Sequence, residues 1–196
     1  MLFKRLSARR ILNVLVAAFS LLFLIPTLLV VSLLIRVSSP GPIIFTQDRI
    51  GFRGKPFRMY KFRTMHVHEL TKQVWAQKDD PRITRIGWVL RQFRIDEIPQ
   101  LWNVLKGDMN VVGPRPEQPE IFNAIKKVFP DSYRRHVVLP GITGWAQVNN
   151  GYDQSFKDVE VKLNYDMEYI SKTSVWMDIY IMFKTVPVML GKRGAH

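Results

Sequence analysis

Residues 11–35, I-L-N-V-L-V-A-A-F-S-L-L-F-L-I-P-T-L-L-V-V-S-L-L-I, hold twenty-five positions without a charged side chain. As a helix rising about 1.5 Å per residue, such a stretch could cover a hydrocarbon core of about 30 Å. The run is longer than the 7–15 apolar residues of a secretory signal, and Ser38 and Ser39 lead directly into Pro40, a poor cleavage context. A retained membrane segment is the expectation. Pro26 falls near its middle, where it removes a backbone hydrogen bond and favours a kink. Lys4, Arg5, Arg9 and Arg10 precede the segment, and Arg36 with a basic stretch follows it. A spanning helix should be flanked asymmetrically. Charge at both ends fits a hairpin that enters and leaves by one face, and both topologies stay open on the residues alone.

The whole chain has 196 residues, with 29 Lys and Arg against 16 Asp and Glu, a formal net charge of +13. That length suits one domain with its own core. Residues 1–65 carry eleven basic side chains and one acid, Asp48. Beside an apolar segment, this excess points first to an anionic membrane face and second to nucleic acid. With no cysteine in the chain, disulfide frameworks, thiolate metal sites and cysteine nucleophiles are excluded.

The chemistry concentrates in residues 91–116, R-Q-F-R-I-D-E-I-P-Q-L-W-N-V-L-K-G-D-M-N-V-V-G-P-R-P. Asp96 and Glu97 stand ahead of a short helix. Pro99 suits its first position, Leu101, Val104 and Leu105 form its apolar face, and Gly107 stops it. Acids at a helix start often do no more than complement the dipole. Here, though, Arg91, Arg94 and Arg115 surround them, a setting suited to phosphate. Two carboxylates in a phosphate site make sense if a divalent cation bridges them to the anion, or if one is a nucleophile.

The remaining chain reads as short elements. Ile43–Thr46 predicts a strand after the Pro40-Gly41-Pro42 turn. From Pro56 to Met65, Phe57, Met59 and Phe62 alternate with Arg58, Lys61 and Arg63: a half-buried strand with a solvated basic face, or a row of cations for phosphates. His66 and His68, followed by Glu69, lack the partners of a zinc site. Residues 69–80 read as a polar connection, with Asp79 and Asp80 as turn formers before Pro81. Helices are expected over Trp88–Phe93, Glu117–Phe129, Ser132–Val138 and Phe156–Ile170. The segment P-G-I-T-G-W-A-Q-V-N-N-G reads as a strand or tight loop, with Trp145 as packing. The C-terminal run S-V-W-M-D-I-Y-I-M-F-K-T-V-P-V-M-L suits either an interfacial membrane helix or a buried core helix.

The run D-E-I-P-Q-L-W-N-V-L-K-G-D-M, then V-G-P-R-P, then P-G-I-T-G-W-A-Q-V-N, resembles the bacterial sugar transferase family, the monotopic phosphoglycosyl transferases. The resemblance runs from about Arg9 to the C-terminal helices. It implies an α+β, mostly helical, membrane-associated single domain with a broken, re-entrant N-terminal membrane helix (residues 1–39), a catalytic domain (residues 40–196) and interfacial helices. The family often has Ser before the helix proline, where Ile25 stands here, and Arg where Leu139 stands. The implied reaction moves a phosphosugar from a UDP-sugar to polyprenyl (undecaprenyl) phosphate, releasing UMP and initiating exopolysaccharide, capsule or glycoconjugate synthesis. The expected setting is the cytoplasmic face of a bacterial inner membrane, with membrane lipid as a partner and nucleic acid not; a homodimer is left open.

Under that resemblance Asp96 is the nucleophile. A carboxylate with a pKa near about 3.9 is already anionic at neutral pH and needs no base. Glu97, with Asp96, would hold Mg²⁺, while Arg91 and Arg115 clamp phosphate oxygens and Pro114 and Pro116 stiffen the Arg115 backbone. Lys61 is a secondary phosphate contact, and Asp166, Gln147 and Arg63 are weaker candidates. Two rivals stand beside this reading. A metal-dependent glycosyltransferase would use a D-x-D pattern, whose nearest match is Asp166-Met167-Glu168. A non-catalytic basic module would bind anionic lipid or nucleic acid, and does not explain an acid pair among arginines.

Overall fold

The computed structural model describes residues 8–66, 80–150 and 156–190. The fold is mostly helical with two small sheets. In order it runs α1 (Ala8–Ser38), β1 (Ile44–Ile50), β2 (Pro56–Phe62), α2 (Arg85–Gln92), α3 (Gln100–Lys106), β3 (Asn110–Val112), α4 (Pro119–Val128), β4 (Gly141–Thr143), α5 (Trp145–Asn149), α6 (Phe156–Lys172) and α7 (Val175–Leu190). Short 3-10 segments at Phe52–Gly54, Ile95–Glu97 and Pro130–Val137 join them. The polar connection with His68, Glu69 and Asp79 lies outside the described residues.

The apolar run forms one helix of 31 residues with Pro26 inside it, a contour of about 46 Å. It is the one helix, among the described residues, long and apolar enough to cross a membrane, and its most apolar stretch is only 11% buried. Phe19, Leu22, Phe23, Leu29, Leu33 and Val37 are exposed. The opposite face is docked at two places. Ala17 packs with Met59, Leu101, Val104 and Met109, and further along Val31 and Ile35 pack with Phe62 and Leu90.

Polar groups fix both ends of α1 to the same body. Near its start, Arg9 pairs with the buried Asp178 of α7 (Nε–Oδ2 3.0 Å), which also accepts a hydrogen bond from Tyr169 of α6 at 2.8 Å. Arg10 donates to the carbonyls of Met109 and Val104, and the buried Asn13 Oδ1 accepts from the Val111 amide at 2.6 Å. At the far end, Arg63 donates to the carbonyls of Ser39 (2.7 Å) and Pro40. It also reaches the Ile35 carbonyl in the last turn of α1 at 3.5 Å, one of the terminal carbonyls that a helix leaves short of donors.

β1 and β2 form an antiparallel hairpin pairing Ile44 with Phe62 through Ile50 with Pro56. Its alternation matches neither simple reading of the sequence. Met59 and Phe62 are buried and Arg58 is exposed, but Lys61 turns toward Glu97 and Arg63 is buried against the end of α1. β3 and β4 pair in parallel, Asn110 with Gly141 and Val112 with Thr143.

Two expectations change. Trp145 and Gln147 lie on the short helix α5, not on a strand: β4 ends at Thr143, and Gln147 Nε2 folds back onto the Ile142 carbonyl at 3.0 Å. The segment after Pro130 is a 3-10 helix from Pro130 to Val137, started by the proline. Trp145 packs as expected, edge-on to Tyr165 and hydrogen-bonded through Nε1 to Glu168. α7 combines both readings of its sequence. Ile181 and Asp178 face the core, while Trp176, Tyr180 and Phe183 face outward.

Candidate active site

The acid pair is presented by a sharp local reversal. Thr84 caps α2, its Oγ1 accepting from the Gly87 amide at 2.9 Å. At Gly87 a Cβ would lie 2.1 Å from the Thr64 carbonyl oxygen, so only glycine lets α2 rest on the end of β2. That close approach brings Arg91, in the last turn of α2, within 3.0 Å of Thr64 Oγ1. Arg94 then adopts a left-handed backbone (φ 53°, ψ 23°), an uncommon conformation for a residue other than glycine that often marks a functional constraint. The chain turns there into the 3-10 segment carrying Asp96 and Glu97, continues into α3, and stops at Gly107 (φ 92°) as its sequence predicts.

Asp96 and Glu97 are 7% and 6% exposed. Glu97 Oε1 accepts from Lys61 Nζ at 2.8 Å and from Arg115 Nη2 at 2.5 Å, and Oε2 accepts from Arg115 Nη1 at 3.3 Å. Asp96 is held more loosely, with Lys61 Nζ at 3.9 Å from Oδ2. The two carboxyls therefore titrate in opposite directions. Burial pushes Asp96 above the ordinary carboxylate range, Lys61 only partly offsetting it. Burial acts on Glu97 too, but Arg115 and Lys61 outweigh it and hold Glu97 well below that range. Burial lowers the Lys61 ammonium, opposed by Glu97 and Asp96.

Arg115 itself is clamped through its backbone. Pro114 and Pro116 remove two amide donors, and the four consecutive carbonyls of residues 114–117 all accept from distant parts of the chain. Gly141 N donates to Pro114 O (2.9 Å) and Arg135 Nη2 to Arg115 O (2.8 Å). Arg49 Nη1 donates to Pro116 O (3.1 Å) and Ile50 N to Glu117 O (2.9 Å). Arg135, 1% exposed, also pairs with Glu117 (3.2 Å) and with Asp166 (2.7 Å), while Lys162 donates to Glu117 at 2.8 Å. Glu117 is buried, yet Lys162 and Arg135 overcome that penalty and bring its pKa to about 2. A small recess beside Arg115 is lined by Pro114, Pro116, Arg135 and His136.

The structure thus brings Asp96, Glu97, Lys61 and Arg115 into direct contact, with Arg91 near enough for its charge to act on Asp96. Pro114 sits beside Arg115. Asp166, a weaker candidate on the sequence, is buried against Arg135, one step behind Arg115. Arg63 binds the carbonyls at the end of α1, and Gln147 bonds back to Ile142 of β4. The D-x-D alternative loses its geometry, since Asp166 is buried against Arg135 while Glu168 bonds Trp145 and Lys172. Local pattern did not single out Arg49, Glu117, Arg135 or Lys162, whose roles depend on partners 18 to 67 residues away.

Of the acid pair, Asp96 is the less engaged, and Glu97 would have to exchange one of its cationic partners for a metal. Among the described residues no third His, Asp or Glu joins them. Mg²⁺ ordinarily keeps several waters and uses one or two carboxylates plus substrate phosphates, so this donor pair fits it when a diphosphate supplies further oxygens.

The chain is 43% identical over 189 residues to the UDP-N-acetylgalactosamine-undecaprenyl-phosphate N-acetylgalactosaminephosphotransferase of Aeromonas hydrophila, covering 96% of this chain and 45% of that protein. It is 43% identical over 177 residues to the UDP-glucose:undecaprenyl-phosphate glucose-1-phosphate transferase of Escherichia coli, covering 89% of this chain and 38% of that protein. An enzyme of that same name from Caulobacter vibrioides is 40% identical over 191 residues, covering 96% of this chain and 72% of its own length. The chain spans less than half the length of the first two relatives. Residues 4–192 match the bacterial sugar transferase family model, and this chain belongs to that family.

Proposed function

We propose that this protein transfers a phosphosugar from a UDP-sugar to undecaprenyl phosphate, giving undecaprenyl diphosphate sugar and UMP. The observation that carries the reading is the buried Asp96–Glu97 pair, in which Glu97 is fully engaged by Lys61 and Arg115 while Asp96 is not. Such asymmetry suits one carboxylate that reacts and one that organises charge. Asp96, raised in pKa by burial, is the more basic and more nucleophilic of the two.

In the first step an Asp96 oxygen attacks the sugar-bearing phosphorus. The bond from that phosphorus to the bridging oxygen breaks, and UMP leaves with the electron pair. In the second step an oxygen of undecaprenyl phosphate attacks the same phosphorus, and the bond to Asp96 breaks, restoring the carboxylate. Arg115 and Lys61 offer donors to the phosphate oxygens, and Arg91 adds positive charge beside Asp96. Admitting the two charged substrates in turn avoids holding their phosphates side by side. A Mg²⁺ held by Glu97 and Asp96 would add neutralisation of the diphosphate.

The topology belongs to the same proposal. α1 is re-entrant, entering and leaving by the cytoplasmic face of the inner membrane. The reading is supported by its two ends binding one body, Arg9 to Asp178 and Ser39 to Arg63, while its middle exposes Phe19, Phe23 and Leu29. Trp88 and Phe93 on and after α2, Trp102 on α3, and Trp176 and Phe183 on α7 are exposed aromatics suited to the lipid interface.

The test is detergent-extracted protein with a panel of UDP-sugars, scoring UMP with and without undecaprenyl phosphate. The expected result is catalytic release only when both substrates are present, abolished by chelation and restored by Mg²⁺. Absence of release from every donor overturns the function, and full turnover in excess chelator overturns the metal.

A further inference from the structure

Gln100 is 1% exposed, and neither its Nε2 nor its Oε1 has a hydrogen-bond partner. A buried carboxamide with both ends unsatisfied is costly, and native proteins rarely retain one without use. Its neighbours on the same helical row are fully engaged. Three residues on, Asn103 Nδ2 donates to the Arg58 carbonyl at 2.7 Å and its Oδ1 accepts from the Tyr60 amide at 3.0 Å. Three residues back, Glu97 accepts from Lys61. Ile98 (φ −54°, ψ −39°) and Pro99 (φ −59°, ψ −18°) keep the backbone helical between Glu97 and α3. Residues three apart therefore share a face here. Glu97, Gln100 and Asn103 form a row along β2, bonded at both ends and unbonded in the middle.

The occupancy of Glu97 explains why. Its oxygens are taken by Arg115 and Lys61, the same cations that a diphosphate would recruit. When they turn to the phosphates, one Glu97 oxygen can hold Mg²⁺ and the other is left needing a donor. A Gln side chain three residues along a helix can reach it.

We propose that Gln100 is a positioning residue whose Nε2 donates to the Glu97 carboxylate when Lys61 and Arg115 shift to a bound diphosphate. The assignment rests on the reading of this site as a UDP-sugar site. It makes Gln100 idle in the free protein and engaged in the complex, so its removal should act on binding and not on folding.

Gln100→Met and Gln100→Leu test this, each close in volume and unable to hydrogen-bond as an amide does. Both are expected to keep or raise the Tm of the free protein, because two unpaired buried atoms are removed. Both are also expected to raise the donor KM about tenfold while leaving kcat near wild type, since Glu97 loses its replacement donor when the diphosphate binds. The thermal shift induced by pyrophosphate with Mg²⁺ should shrink in parallel. Wild-type donor KM in both variants overturns the proposal, as does a fall in kcat equal to the rise in KM. So does a fall in free-protein Tm that accounts for the lost activity, which would make Gln100 purely structural. If wild type turns over no UDP-sugar, the functional reading fails separately. The pyrophosphate arm then decides alone, equal shifts in wild type and variants overturning the role of Gln100.

Discussion

Arg135 donates through Nη2 to the main-chain carbonyl of Arg115 at 2.8 Å, so a fully buried guanidinium sets the backbone of a half-exposed one. Arg135 is in turn fixed by Glu117 and Asp166. Under the proposed function, preorganisation of this kind would set a phosphate clamp before substrate arrives, so that less ordering remains to be done on binding.

Arg135→Lys keeps the charge but cannot reach Glu117, Asp166 and the Arg115 carbonyl from one planar fork. UMP release should fall at least about tenfold, with the loss chiefly in KM for the donor. Steady-state kinetics beside a Tm measurement check this. Unchanged KM would show that the prolines alone hold Arg115.

The two carboxyls of the acid pair should respond with opposite signs to neutralisation. A folded-state pKa raised above the unfolded value, as at Asp96, means that the charged form destabilises the fold at neutral pH. Asp96→Asn should therefore raise Tm at pH 7 while abolishing activity. Glu97 is depressed, so its charge stabilises above the ordinary carboxylate range and that contribution is lost as pH falls. Glu97→Gln should lower Tm at pH 7. Equal effects of the two substitutions on Tm would contradict the charge asymmetry.

Because burial raises Asp96, its anionic form is lost on acidification at a pH above that of an ordinary aspartate, about 3.9. The acid limb of kcat/KM should lie above that value. Donor alone should release at most about one UMP per enzyme and leave a phosphosugar mass on the Asp96 peptide. Intersecting double-reciprocal lines with no labelled peptide would favour a ternary complex instead.

Acid stability should fall in two windows. His136 is depressed to about 4 by burial, then by Arg135, so it is neutral in the fold; stability drops as pH falls from about 6.5 through about 4. Glu117, brought to about 2, contributes stability above about 4.5 that is lost as pH falls from there toward about 2. Urea titrations across this range check both, and Glu117→Gln should flatten the lower window.

Single cysteines at Ala8 and Lys55, in a chain with none of its own, report topology. A hairpin leaves both inaccessible to an impermeant thiol reagent outside spheroplasts and both reactive in inverted vesicles. Labelling of one from each side would establish a span.

Local sequence was enough for the elements whose signals are local. Residues 11–35 are helical because an uncharged run has few other solutions in lipid. Gly107 ended α3 because a left-handed terminus favours glycine, and the alternation of Phe57, Met59 and Phe62 marked β2. The acid pair was legible because its arginines lie within a few residues or in a short following motif. What only tertiary structure decided are the partnerships. Lys61 and Arg63 sit two residues apart on alternating cations, yet one reaches Glu97 and the other binds the carbonyls at the end of α1. Asp166 is buried because Arg135, thirty-one residues earlier, offers it a partner that no local pattern announces. Composition and periodicity report which face of an element avoids water. They do not report which distant charge shares a buried space, since that depends on how the elements dock, and it is docking that separates the pKa values of Asp96 and Glu97.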